Sequence, residues 1–290
     1  MDPRFRPTLW PGTVVPTPPL RPLREVVVEG DWVTWPVAAA AGQPEVQLPQ
    51  DFYLRELLEL HADDIEAAAD LMRSYGLLFD LELDELNPTD FEPEAWVELS
   101  ALAEYPDDRG PFDGAHGGVH RDLVRLYIET AQRATTTYLA CHKDGGLEES
   151  IAPNVNDANL GRWRRINSHH SKPWPRSLEH LQKLLIEEAV RDLKGSIGAA
   201  LRKFSVGIGG LEARSPTIYS VSFLQLYNHL AEGATTRQCA NETCLIAFVR
   251  QRGRAEYEQY RTEGVRYCSR ACARAQAQRQ LRRRRKLAKV

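Results

Sequence analysis

Methionine and cysteine are scarce in this 290-residue chain (two and five residues), and no apolar run approaches the roughly 20 residues that a membrane-spanning helix requires. That absence argues against an integral membrane protein. The opening Met1-Asp2-Pro3-Arg4-Phe5-Arg6 runs on into prolines rather than into an apolar core. No secretory leader is therefore expected, and the expected compartment is the cytoplasm. A reducing compartment makes disulfides a poor use for so few cysteines. Enzyme signatures are missing as well. Gly207-Ile208-Gly209-Gly210 follows a helical stretch, whereas a dinucleotide-binding glycine loop follows a strand. Ser168, His169 and His170 are neighbours on one loop and cannot alone compose a nucleophile, a base and an orienting carboxylate. His116, His120 and His142 do not share a helical face. The chain reads as a non-enzyme.

What is present concentrates at the C-terminal end. Four of the five cysteines form two close pairs, Cys239 with Cys244 and Cys268 with Cys272. A structural Zn2+ takes four thiolates in a tetrahedron, and two short paired loops supply that geometry with little loss of chain entropy. The second pair stands at i,i+4, so one helical turn points both sulfurs the same way. Neighbours as polar as Glu242, Thr243, Ser269 and Arg270 argue against four thiols packed as small apolar groups. The fifth cysteine, Cys141, falls on an apolar helical stripe and is expected in the core.

The net charge of −3 conceals a division. From Arg237 onward fifteen Lys/Arg face four acids (Glu242, Glu256, Glu258, Glu263), which is +11, so the first 236 residues carry −14. A basic tail on an acidic body points to a polyanionic partner for the tail. The cations concerned are Arg270, Arg274, Arg279, Arg282, Arg283, Arg284, Arg285 and Lys286, on a helix-prone segment with no apolar face. Like charges at i,i+4 oppose such a helix. The tail is therefore expected to be partly frayed alone and ordered on nucleic acid.

Cys239-Ala240-Asn241 with Cys244, Phe248 four residues further on, and Arg266-Tyr267-Cys268-Ser269 ahead of Cys272 and a basic helix resemble the CGNR-type zinc finger of bacterial proteins. The resemblance covers about the last fifty residues. It implies a DNA-binding transcriptional regulator with its finger C-terminal to a helical domain. The same four cysteines would be ligands, and the basic helix from Arg274 would face duplex DNA. The tetrapeptide that names the family stands here as Cys272-Ala273-Arg274-Ala275, so the glycine–asparagine–arginine contacts do not carry over. Without the resemblance, the charge pattern fits equally an interaction protein whose tail binds RNA or an acidic partner.

The expected fold is mainly α: a helical body with a small β-hairpin, then a treble-clef-like zinc finger ending in a basic helix. Residues 1–24 hold seven prolines and read as an extended or disordered arm. Residues 25–235 form the body, a sensor or interaction domain for a ligand or protein partner, and 236–290 the finger. Arg24–Val28 and Trp32–Pro36 read as a hairpin about Gly30. Helical spacing marks Phe52–Tyr75 (with His61 half-buried in the stripe), a segment opened by Pro93, Val119–His142, Ser177–Phe204 and Ile218–Leu230. Arg109–Gly118 reads as a loop, and Asn154–Arg176 as a long loop that Trp163 and Trp174 anchor while its arginines meet the acidic surface. In the finger, Leu245–Val249 reads as a strand and Arg250–Gly264 as a mobile polar span. Leu245, Ile246, Phe248 and Tyr267 are the bulky apolar residues there, too few to fold without metal. The sequence leaves the oligomeric state undetermined.

Overall fold

The computed structural model describes residues 14–36, 38–79, 116–142, 145–167, 174–202, 216–232, 234–250 and 266–287. The expectations for the acidic stretch after Phe79 and the helix opened by Pro93, for Ser168–His170, for Gly207–Gly210 and for the span after Arg250 lie outside the described residues.

The hairpin forms where β-branched and aromatic residues flank Gly30, which takes the left-handed turn conformation. Strands β1 (Val27–Glu29) and β2 (Trp32–Pro36) pair antiparallel with Val28 opposite Val33. A short helix α1 (Phe52–Arg55) and then α2 (Ile65–Tyr75) replace the single helix expected over Phe52–Tyr75. The break has a local cause: Asp64 caps α2, its side chain accepting from Ala67 N–H at 2.9 Å. His61 falls in the intervening turn and is exposed, not half-buried.

The glycine-rich stretch expected as a loop ends in strand β3 (His116–His120), which adds to β2 in the order β1-β2-β3. Gly117 lies under the indole of Trp35, where a β-carbon would come within 2.7 Å of the ring. The glycine therefore admits the aromatic side chain. Helix α3 (Arg121–Ala140) follows directly, capped by the His120 imidazole, whose ring also meets Trp32 edge-on at 5.1 Å.

Helix α4 (Gly146–Ile151) leads to α5 (Asp157–Ile166), where a loop was expected. Asn156 caps α5, and Trp163 meets Trp174 at 6.1 Å, so the two rings pack on each other where they were expected to anchor a loop to the body. Arg164 donates to the carbonyls of Pro175 and Arg176 rather than to acidic side chains.

Helix α6 (Leu178–Arg202) packs on α3 and on α7 (Ile218–Ala231). A helix apolar on nearly every side must be buried on nearly every side, and α7 is: among its residues only Tyr219 is half-buried. Its few polar side chains therefore need internal partners. Gln225 accepts from Phe52 N–H and donates to Pro49 C=O, and Asn228 holds both the N–H and the C=O of Val15. That second pair corrects part of the arm: residues 14–24 are extended but fixed, with Leu20 1% exposed and bridged to Val46.

His229 of α7 is buried as well. His229 Nδ1 lies 2.6 Å from the Tyr53 hydroxyl, while Nε2 faces Asp51 at 3.4 Å. Burial, helped by Tyr138 and Asp51, holds the Tyr53 phenol well above its ordinary value, so it stays neutral. Tyr53→Phe is expected to lower stability by about 1–3 kcal/mol, the cost of an unpaired buried ring nitrogen, measured by urea denaturation.

The chain ends in a two-stranded hairpin, β4 (Thr235–Gln238) and β5 (Ala247–Arg250), and the helix α8 (Arg270–Leu287). Strand β5 packs on α1, and Val249 belongs to the body's core. Cys141 is buried there too. No helix among the described residues is long and apolar enough to cross a membrane.

A candidate metal centre at the C-terminal hairpin

The turn between β4 and β5 carries the first cysteine pair. Cys239 N–H donates to Ile246 C=O at 2.9 Å, closing the hairpin beyond the last ladder pair. The chain then winds back on Asn241, whose carbonyl accepts from Cys244 N–H at 2.8 Å and from Leu245 N–H at 3.3 Å. This tight knuckle puts Leu245 in the left-handed region at φ 52°. A residue with a β-carbon bears roughly 1–2 kcal/mol of strain there, which glycine escapes.

The second pair comes from the start of α8. Ala240 N–H donates to Arg266 C=O at 2.7 Å, and Cys268 N–H points at Cys239 Sγ at 3.4 Å. Cys272 lies in the first turn of α8, whereas Cys268 falls two residues ahead of the helix rather than in that turn. Ser269 Oγ accepts from Cys272 N–H at 3.2 Å.

The four sulfurs lie within 4.8 Å of one another, with Cys244–Cys268 at 3.6 Å and Cys268–Cys272 at 3.5 Å. A disulfide would need about 2.05 Å. Tetrahedral thiolates about 2.3 Å from a metal stand roughly 3.8 Å apart, close to the shorter separations here. Cys239 is wholly buried and the other three are partly exposed. The four residues could hold a metal ion. The Asn241 side chain and the Ser269 hydroxyl lower the Cys272 thiol to about 6, while burial and the three neighbouring cysteines push Cys268 up. Four sulfurs this close resist ionising together, and a dication removes that resistance.

Sequence reasoning missed the polar scaffold around the sulfurs. Asn241 and Gln276 are buried polar residues, Gln276 only 3% exposed. Gln276 donates to Glu242 Oε1 at 2.8 Å and receives from Arg279 at 3.1 Å. Arg279 also donates to the Asn241 side chain and to Thr243 Oγ1. Arg283 grips both oxygens of Glu242, at 2.8 and 2.6 Å, and this pair leads the causes that lower the Glu242 carboxyl. Positions 272, 276, 279 and 283 share one helical face, so α8 lies against residues 241–243 through a polar face where an apolar one was sought. Asn241→Ala should weaken metal binding roughly 10–100-fold, as loss of a supporting partner does elsewhere, in competition with a chromogenic chelator.

The eight cations singled out for a polyanion thus divide. Arg279 and Arg283 are engaged by the knuckle. Arg270, Arg274, Arg282, Arg284 and Arg285 are exposed, and Arg274 and Arg285 lie on the side of α8 opposite Gln276. Lys286 closes the row within α8, its side chain outside the described set. Two apolar residues assigned to the finger's core are instead on its surface, Leu245 at 54% exposure and Ile246 at 37%, while Phe248 is buried. Comparison of the chain with protein-family models, with curated proteins and with solved structures returned no match.

Proposed function

We propose that this chain is a zinc-dependent DNA-binding protein acting as a transcriptional regulator. One Zn2+ on Cys239, Cys244, Cys268 and Cys272 closes a treble-clef-like finger, and α8 lies along duplex DNA. The single observation that carries the reading is the division of the arginines. The knuckle clamps one face of α8 through Gln276, Arg279 and Arg283. The opposite face keeps Arg274 and Arg285 turned to solvent, with Arg270, Arg282 and Arg284 also exposed.

A clamped helix with an exposed cationic side suits phosphate binding, because the clamp, and not the polyanion as the like charges led us to expect, meets the cost of ordering the rod. Zinc is the metal of choice for a closed four-thiolate tetrahedron. The likeness to the CGNR-type finger agrees with duplex DNA as partner, and the helical body then serves as the part that senses a ligand or recruits a protein. The charge pattern also admits RNA or an acidic protein surface.

The experiment is a titration of labelled duplex DNA, RNA and an acidic polypeptide with the zinc-loaded chain at several salt concentrations. Duplex DNA is expected to bind best. With about five cations at phosphates, log affinity should fall with log salt at a slope of about −4 to −5. A slope near zero, or preference for RNA or for the polypeptide, overturns the DNA assignment.

A further inference from the structure

We infer that α8 enters the major groove of duplex DNA and reads bases there through Gln278 and Leu281; the inference rests on the DNA-binding reading above. The clamp fixes which side of the helix is available. At about 100° per residue, Cys272, Gln276, Arg279 and Arg283 share the side turned to the knuckle, and Leu281 stands directly opposite. Ala277 and Gln278 lie on either side of Leu281, within about 60° of it. Leu281 is 49% exposed, and Ala277 and Gln278 are exposed too. The Gln278 amide makes no hydrogen bond among the described residues.

Arginines frame this uncharged window. Arg274 and Arg285 mark its two ends on the same side of the helix, about 16 Å apart along the axis. Arg284 stands on one flank and Arg282 on the other. All four are exposed, and none pairs with an acid among the described residues. A lone exposed leucine is ordinary on a protein surface. Neither packing nor solubility asks for a leucine and an amide set inside a frame of arginines.

The layout is what a helix in the major groove needs. That groove is about 12 Å wide and admits one helix, whose flanks face the phosphates of the two strands while its centre faces base edges. The flanking arginines meet the phosphates and set the register. A glutamine at the centre makes a bidentate pair with adenine N6 and N7, and an apolar side chain covers the thymine methyl. Ala277 lets the backbone come close. An RNA duplex offers no such surface, because its major groove is too narrow for side chains to read. A protein groove takes a row of large apolar anchors at helical spacing, and this side of α8 has one.

The test uses the full zinc-loaded chain and a pool of random-sequence DNA duplexes. Selection from the pool is expected to enrich one short motif containing A·T pairs. On the selected duplex Gln278→Ala should bind at least about tenfold more weakly, within the roughly 5- to 150-fold scale of a bidentate pair. Replacing the contacted adenine by 7-deazaadenine, which lacks the N7 acceptor, should weaken the parent and leave Gln278→Ala unchanged. Leu281→Ala should bind about fourfold more weakly, the scale of one buried methyl group. Uracil in place of the contacted thymine should weaken the parent but not Leu281→Ala. On an unselected mixed-sequence duplex both variants should match the parent in affinity and salt slope, and both should hold zinc as the parent does, since the two side chains are exposed and alanine favours the helix. If the parent enriches no motif, or the variants lose affinity on both duplexes alike, the groove reading is wrong while DNA binding stands. If the parent itself binds no duplex at low salt, both fall together.

Discussion

Stripping the metal, or replacing Cys239 by serine, is expected to abolish DNA binding and melt the finger while the helical body stays folded. Cys239 is the one wholly buried cysteine of the four, and its sulfur also receives the Cys268 N–H. Serine keeps neither the thiolate nor the bond length, so the loss in metal affinity should exceed the 10–100-fold of a supporting residue. The apolar material of the finger is small, with Leu245 and Ile246 exposed and Phe248 and Val249 buried. On the proposed reading, metal binding would supply most of the finger's folding free energy, on the order of 10 kcal/mol apparent. The body has its own core, in which α3, α6 and α7 pack together and the finger contributes Val249. Circular dichroism of the chelated protein should lose signal equivalent to α8 and the hairpin, and proteolysis should cut within residues 235–290 first. Unchanged helicity together with unchanged DNA affinity would refute the dependence on metal.

The second large effect separates the arginines by role. Neutralising Arg274, Arg282, Arg284 and Arg285 together should cut duplex affinity on the order of a thousandfold at 0.1 M salt and flatten the salt slope from about −4.5 to about −1. Zinc binding should be unaffected, since none of the four touches the knuckle among the described residues. Arg279→Ala should do the reverse. It strips donors from Asn241, Thr243 and Gln276, so the metal should be held less tightly and α8 should melt earlier. Its salt slope should remain near the parent's, because the outward cations remain. Fluorescence anisotropy across a salt series, paired with zinc competition, reads both quantities. Equal effects from the two sets would mean that the clamp and the contact surface are not distinct.

The sulfurs were legible in the sequence because spacing alone constrains them: two residue pairs on short loops can meet with little chain rearrangement. The polar face of α8 was not. Gln276, Arg279 and Arg283 sit at helical spacing, yet their partners lie at 241–243, 34 or more residues away, and hydropathy is blind to a face held by hydrogen bonds. The body shows the same contrast. Helices α6 and α7 followed from apolar periodicity, and the β1–β2 hairpin from Gly30 between β-favouring runs. Strand β3 hid behind glycines, one of which, Gly117, admits Trp35, a contact made across the sheet. The break before α2 was visible as Asp64, but an apolar stripe running through it outweighed a single cap. Val15 held by Asn228 carries no local signal at all, which is why residues 14–24 read as part of an extended or disordered arm.

The central claim is that four sulfurs at the C-terminal hairpin hold one zinc ion. X-ray absorption at the zinc edge on the purified chain, with metal content measured on the same sample, tests it directly. The account predicts one zinc per chain with four sulfur neighbours at about 2.3 Å and no nitrogen or oxygen in the shell. A chain purified without stoichiometric metal, a mixed shell, or cysteines recovered as disulfides would contradict it.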